Sequence, residues 1–397
     1  MERGGGKILT GNEGGKMKKA VLIGAGQFGR GVIAMLLEQS GYHVVLADIN
    51  EDVIRDINTR GEYVVRRIDD SDESVTVRNI SAISSLSPEL VEECASSEVI
   101  CTCTGLTVLG KVAPAIAKSI SQRKENGFAG TANVLACENA IGGTTILKNY
   151  VLEYLNVEEQ QYLEDHIGFP DCAIDGIIPP RRDALPADVT AEKYYEWDSL
   201  KSGFRGELPE IQGLHIVDDL SRYLERKLFT LNGPNAVTGC FGFRKGYKTV
   251  QESLEDREIY SEVWQMMEEA GEMLAKRHGF TAQEMLEYRT FIMKRFLNPH
   301  IIDTCVRVAR EPMRKLAAND RIVAAMNFAH SFGIATPAYI KGIAEVLAYN
   351  NPEDVQSVQM QQLIASFGLR EALEKLSGIP EDSDTSSAVE AEYRKIV

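Results

Sequence analysis

The chain contains no apolar run approaching the ~20 residues needed to span a bilayer, so nothing in it reads as a membrane helix. Its opening, MERGGGKILTGNEGGK, lacks the apolar centre of a secretory signal. Residues 1–16 read instead as a flexible leader ahead of a natural beginning at Met17. Cysteine occurs seven times, an odd number without paired spacing. That excludes a disulfide framework and points to free thiols in a reducing cytoplasm. Cys101 and Cys103 alternate as strand residues do, and no further ligands stand at metal-binding spacing, so no metal site is expected. Internal repeats are missing too. Positive charge is in deficit: 43 Lys and Arg face 58 Asp and Glu, for a net charge of −15. Such a field opposes nucleic acid and anionic membranes, and neither is an expected partner. An anionic substrate would need a local basic cluster.

What is present is a soluble composition, 44% hydrophobic and 25% charged, over 397 residues. That length favours two domains. Residues 18–23 read as a buried strand running into Gly24-Ala25-Gly26-Gln27-Phe28-Gly29-Arg30-Gly31. A helix follows, with Val32, Ile33, Met35, Leu36 and Leu37 on its apolar face. A second strand, 42–47, ends at Asp48. Strand, G-x-G-x-x-G, helix, strand and acid together make a dinucleotide-binding fingerprint. Gly24 permits the tight turn, Gly26 lets a pyrophosphate approach, and Gly29 lets helix and strand pack closely. The helix N-terminus offers N–H groups and a positive dipole end to the phosphates. Asp48 is placed for the ribose hydroxyls, and its charge favours NAD over NADP. The expected cofactor contacts are therefore Gly24, Ala25, Gly26, Gln27, Phe28, Gly29, Arg30 and Asp48.

Residues 98–104 and 131–136 read as further strands, with a helix over 107–120 between them. Ligands gather outside the carboxyl ends of parallel strands, which adds Gly105, Glu138 and Asn139 as candidates. Glu138 fits equally well as a cap for the next helix. Residues 147–163 read as one helix. Asp175 lies in the strand-like run CAIDGIIPP and needs partners if buried. Irregular sequence over 181–215 marks the domain junction. The expected organisation is α/β: a Rossmann NAD-binding domain over 17–205, a predominantly helical substrate domain over 206–378, and a polar tail over 379–397. Helices are expected over 249–278, closed by Gly279, and over 282–296.

Two stretches of the second half carry possible chemistry. Residues 227–236, KLFTLNGPNA, place Lys227, Asn232 and Asn235 in apolar surroundings. A desolvated lysine loses proton affinity and can act as a general base. The carboxamides can donate to an oxygen gathering negative charge. The plainer alternative is a helix start with Asn232 as N-cap, Pro234 in the first turn and Lys227 snorkelling to solvent. Residues 306–321 hold five cations and two acids in an otherwise acidic protein. They are the basic cluster that a phosphate would need. The alternative there is arginines paired with Glu311 and Asp320.

The order IGAGQFGRG, ADIN, ACENAIGGTTILK, ERKLFTLN, RFLNP and REPMRKLAANDR resembles the mannitol-1-phosphate 5-dehydrogenases, a family of polyol-specific long-chain dehydrogenases. The resemblance runs from Met17 to about Gly378. It implies metal-independent, NAD-dependent interconversion of D-mannitol 1-phosphate and D-fructose 6-phosphate. It implies Lys227 as general base, Asn232 as a donor to the reacting oxygen, and Asp175 near the substrate. It also implies a phosphate near the basic cluster, with Arg307, Arg310, Arg314 and Lys315 as its contacts. Two positions depart from the family: Asn235 stands where the family has His, and Gly176 where it has Arg. Asn235 can still donate a hydrogen bond, though it cannot titrate as His can. Two other readings compete. One keeps the fold and acts on a hexuronate or an unphosphorylated polyol. The other is a catalytically silent, NAD-binding regulatory protein. Monomer and dimer are both compatible with the sequence.

Overall fold

The computed structural model describes residues 18–68, 73–178 and 185–397. The expected leader and the Pro179-Pro180 end of CAIDGIIPP lie outside them. The chain divides into two compact units, Met1–Leu220 and Ser221–Val397.

The first unit is built on a six-stranded parallel sheet: β1 (Lys19–Ile23), β2 (His43–Asp48), β3 (Ile80–Ser84), β4 (Val99–Thr102), β5 (Ala132–Ala136) and β6 (Ile167–Gly168). Their order across the sheet is β3-β2-β1-β4-β5-β6. All residues of β4 and β5 are buried, as expected of strands covered on both faces. The order reverses direction between β1 and β4, which opens a crevice at their carboxyl ends. The helix after β1 begins at Gln27, runs as a π-helix over Gly29–Ala34 and continues as α-helix over Met35–Gln39. Val32, Ile33, Met35, Leu36 and Leu37 are all buried, so this helix is covered well beyond one stripe.

Two three-stranded sheets complete the unit. One joins Val189–Ala191, Tyr63–Arg67 and Ser74–Val77; the other joins His215–Val217, Glu196–Leu200 and Cys172–Asp175. Because His215–Val217 pairs with Glu196–Leu200, the residues following 205 remain with the first unit up to Leu220. Residues 147–163 are not one helix. Gly143–Leu152 and Val157–His166 are separated by Asn156, whose side chain forms a capping box with Glu159.

The second unit is helical around one apolar core. The long pattern over 249–278 breaks at Asp256, which caps Arg257–His278. Gly279 closes that helix in the left-handed region, and Ala282–Phe296 follows as expected. The stretch expected as a polar tail contains another helix, Asp384–Ile396, capped by Ser383, with Val389 fully buried. Val389, Tyr393 and Ile396 recur at helical spacing, but too few apolar residues surround them to stand out. No helix among the described residues is long and apolar enough to cross a membrane.

Candidate active site

In the first unit the glycine loop is shaped by contacts that only glycine allows. Gly24 has φ +90°, and a Cβ there would stand 2.6 Å from the Cys103 carbonyl oxygen. A Cβ on Gly29 would meet the Gly24 carbonyl oxygen at 2.6 Å. Gly26 is different: it is exposed, and a Cβ would meet nothing within 4 Å. Turn, close packing and open approach thus fall on the three glycines as the motif requires. The exposed amides of Gly26 and Gln27 belong to the first turn, where N–H groups lack intrahelical acceptors. This cradle fits a pyrophosphate.

The other expected cofactor residues divide. Ala25 is buried, and Phe28 packs on Gly176, where a Cβ would come within 3.1 Å of its ring. Arg30 differs from the expectation. Its guanidinium is buried and donates to the carbonyls of Ala25, Ala187 and Pro186, so it braces the loop from behind. Burial draws its pKa below the ordinary arginine value, opposed by Tyr63 and nearby acids. Asp48 ends β2 half-exposed, with one carboxylate oxygen accepting from the Asn50 N–H at 2.9 Å. Gly105 and Asn139 are exposed beyond the ends of β4 and β5.

Glu138 is neither a helix cap nor solvent-facing. It is buried, and Oε1 accepts from the Thr102 hydroxyl at 3.0 Å and the Thr104 N–H at 2.9 Å. Its Oε2 accepts from the Gly105 N–H at 2.8 Å. One carboxylate therefore ties β5 to the loop after β4, beside the crevice. Asp175 is buried at the end of its strand, and its Oδ1 accepts from the Gly176 N–H at 3.0 Å.

In the second unit, Ser221–Lys227, the π-helix Leu228–Asn232 and Gly233–Lys245 form one uninterrupted helical run. The helix-start reading therefore fails. Asn232 has helical φ and ψ, and its side chain makes no cap hydrogen bond. Pro234 explains the irregularity, because it has no N–H to donate to the preceding turn. The ladder widens there, and the Gly233 N–H reaches the Leu228 carbonyl five residues back. A regular α-helix would separate positions 227 and 232 by about 140° around the axis. The extra residue per turn brings them towards one face, and Asn235 follows Asn232 by three. All three side chains are half-buried. The Asn235 Oδ1 is buried without a hydrogen bond, an acceptor that needs a donor.

The basic cluster does not converge on a common point. Arg307 holds Asp303 in a two-pronged pair at 2.6 and 2.5 Å. Arg314 holds Glu311 at 2.8 Å and Asp320 at 3.4 Å. Lys315 turns inward, 4% exposed, and donates to the Val308 carbonyl at 2.5 Å. Burial lowers its pKa to about 8. Arg310 is exposed and makes no ion pair among the described residues. Thus the expected set of four phosphate contacts is reduced by local acids and by burial. Sequence gave no sign of the backbone beside it: Glu311 has φ +60°, unusual for a residue with a side chain, and its N–H donates to Asp354 at 2.8 Å.

A doubly wound sheet with a phosphate-cradling loop, followed by a helical unit carrying lysine and carboxamides on one helix, defines a dinucleotide-dependent class of fold. Residues 18–213 match the mannitol dehydrogenase Rossmann domain and residues 219–397 the mannitol dehydrogenase C-terminal domain. The chain belongs to the mannitol dehydrogenase family, a family of polyol oxidoreductases. Its fold is similar to that of Pseudomonas fluorescens mannitol 2-dehydrogenase, described as a ternary complex with NAD and D-mannitol. The two are 17% identical over 96% of this chain and 92% of the other, with a TM-score of 0.70. A D-sorbitol dehydrogenase in substrate-free form is likewise 17% identical, over 96% and 93% of the two chains, with a TM-score of 0.79.

Proposed function

We propose that the protein is an NAD-dependent oxidoreductase that interconverts a polyol and its ketose. Its motifs point to D-mannitol 1-phosphate and D-fructose 6-phosphate as the pair. The observation that carries this reading is the π-turned helix, which turns Lys227 and Asn232 towards one face next to the unsatisfied Asn235 oxygen. When bound, NAD supplies the hydride acceptor in polyol oxidation. Lys227 takes the proton from the hydroxyl being oxidised. The Asn232 amide donates to the same oxygen and so stabilises charge that develops there. Asn235 accepts from a neighbouring hydroxyl, a task that polyols suit because each carbon carries a donor. The glycine loop and Asp48 hold the dinucleotide.

An unphosphorylated polyol is a second reading, favoured by one observation: Arg307, Arg314 and Lys315 are already committed within the protein. Arg310 is then the cation left for a phosphate. To decide, NADH oxidation is followed with fructose 6-phosphate, fructose and a hexuronate. Turnover of fructose 6-phosphate, with a KM raised selectively by Arg310→Glu, supports the phosphorylated pair. Preference for fructose supports the second reading. NADH binding without turnover of any ketose contradicts both.

A further inference from the structure

The widened turn at Leu228–Asn232 has a carbonyl that its own helix cannot satisfy. The Gly233 N–H, four residues beyond Phe229, donates instead to the Leu228 carbonyl. The residue five beyond Phe229 is Pro234, which has no N–H. Both helical donors to the Phe229 carbonyl are thus removed. Phe229 is 2% exposed, so bulk water does not replace them. A buried carbonyl left in that state is costly, and it needs a partner from elsewhere in the fold.

Tyr339 supplies that partner. Its hydroxyl donates to the Phe229 carbonyl oxygen at 3.4 Å, long for a hydroxyl donor, from 110 residues further along the chain. The side chain is fully buried, and burial pushes its phenol pKa up, so the hydroxyl keeps its proton and donates. The backbone of Tyr339 is itself fixed. It lies in the first turn of the helix Pro337–Ala348, where amides lack intrahelical acceptors. Glu269, buried in the helix Arg257–His278, accepts from the Ala338 N–H at 3.0 Å and the Tyr339 N–H at 3.2 Å. At Gly233 the turn meets backbone instead: a Cβ there would stand 2.8 Å from the Arg321 carbonyl oxygen. Tyr339 and Arg321 together limit where the widened turn can sit.

We propose that Tyr339 is a positioning residue, whose hydroxyl braces the Phe229 carbonyl and so holds the turn that brings Lys227 and Asn232 towards one face. It acts through the turn and not on the reacting atoms. Without the hydroxyl, the Phe229 carbonyl has no donor while the turn stays wide. A regular turn would give it the Gly233 N–H, taken from Leu228. That exchange moves Lys227 and Asn232 back towards the separation of about 140° that a regular helix imposes. The effect on turnover rests on the proposed dehydrogenase function; the brace itself does not.

The test compares the full-length parent with Tyr339→Phe, which removes the hydroxyl and keeps the ring, and with Tyr349→Phe as a control. Tyr349 is buried in the same core, and its hydroxyl accepts from Asn351 at 3.0 Å. Amide hydrogen exchange, read by mass spectrometry, should run about fivefold faster over residues 229–236 in Tyr339→Phe and stay unchanged over 257–278. In Tyr349→Phe, residues 229–236 should exchange at the parent's rate. Parent-like exchange there in Tyr339→Phe would overturn the brace, whatever the activity. With NADH and fructose 6-phosphate or fructose, kcat should fall about tenfold in Tyr339→Phe at parent-like NADH affinity, and hold in Tyr349→Phe. Unchanged kcat beside faster exchange, or equal losses in both variants, would overturn the positioning role. A parent inert towards every ketose would overturn the proposed function instead, and exchange would still decide the brace.

Discussion

The glycine loop of the first unit and the helical run over 221–245 of the second, the two elements that the proposed function rests on, present their polar groups from opposite materials. The loop works through backbone. Its amides are presented because Gly24 and Gly29 admit contacts at 2.6 Å that no side chain could tolerate. The helix works through side chains, and its backbone departs from regular geometry so that they can share a face. A backbone site declares itself in sequence, because glycine at fixed spacing has few other uses there. A side-chain site does not, because Lys, Asn and Arg pair with whatever the fold brings to them.

Substitutions can break each half of this contrast, and the largest effect belongs to the loop. Gly29→Val drives side-chain carbon into the Gly24 carbonyl oxygen and the Leu22 side chain. It should cost about 1–3 kcal/mol of stability and abolish NADH binding, as read by thermal melting and fluorescence titration. Unchanged NADH affinity would show that the loop tolerates what its geometry forbids. Glu138→Ala comes next. It strips the Thr102, Thr104 and Gly105 donors of their acceptor. A loss of about 1–3 kcal/mol and roughly tenfold weaker NADH binding are expected.

Lys315 gives a smaller effect with a definite pH signature. Its folded pKa is about 8, against ~10.4 for an exposed lysine, because burial disfavours the charge. Between those values the unfolded chain binds more protons than the folded one, so stability must rise with pH. Relative to Lys315→Met, the parent should gain up to about 3 kcal/mol between about pH 8 and 10.5, measured by denaturant unfolding. A pH-independent difference would mean that the amine is not desolvated. Arg314→Ala should do least. Its pairs with Glu311 and Asp320 are partly exposed, and such pairs contribute about 0–1 kcal/mol. Its KM for a ketose phosphate should match the parent's; a selective rise would return Arg314 to the substrate.

Much of the fold was legible because periodicity and glycine carry it. The first strands, the turn, Asp48 and the helix over Ala282–Phe296 fall close to where pattern places them. Breaks were harder to see. Asn156 and Asp256 interrupt long apolar periodicities by capping new helices, and a single polar residue within an amphipathic pattern is ordinary. At Pro234 the sequence suggested a helix start, whereas the chain keeps its helix and widens one turn. The basic cluster misled for another reason. Composition counts charges, but only folding shows that Asp303 takes Arg307 and that Lys315 turns inward to a carbonyl. Glu138 was open to two readings because buried acceptors resemble caps until their donors are known.

Lys227 bears the central claim. The direct measurement compares Lys227→Ala with the parent in NADH binding and in NADH oxidation by fructose 6-phosphate and by fructose. The account predicts that the variant binds NADH within about twofold of the parent and oxidises it at least ~100-fold more slowly. Oxidation at the parent's rate, with cofactor binding intact, would contradict it.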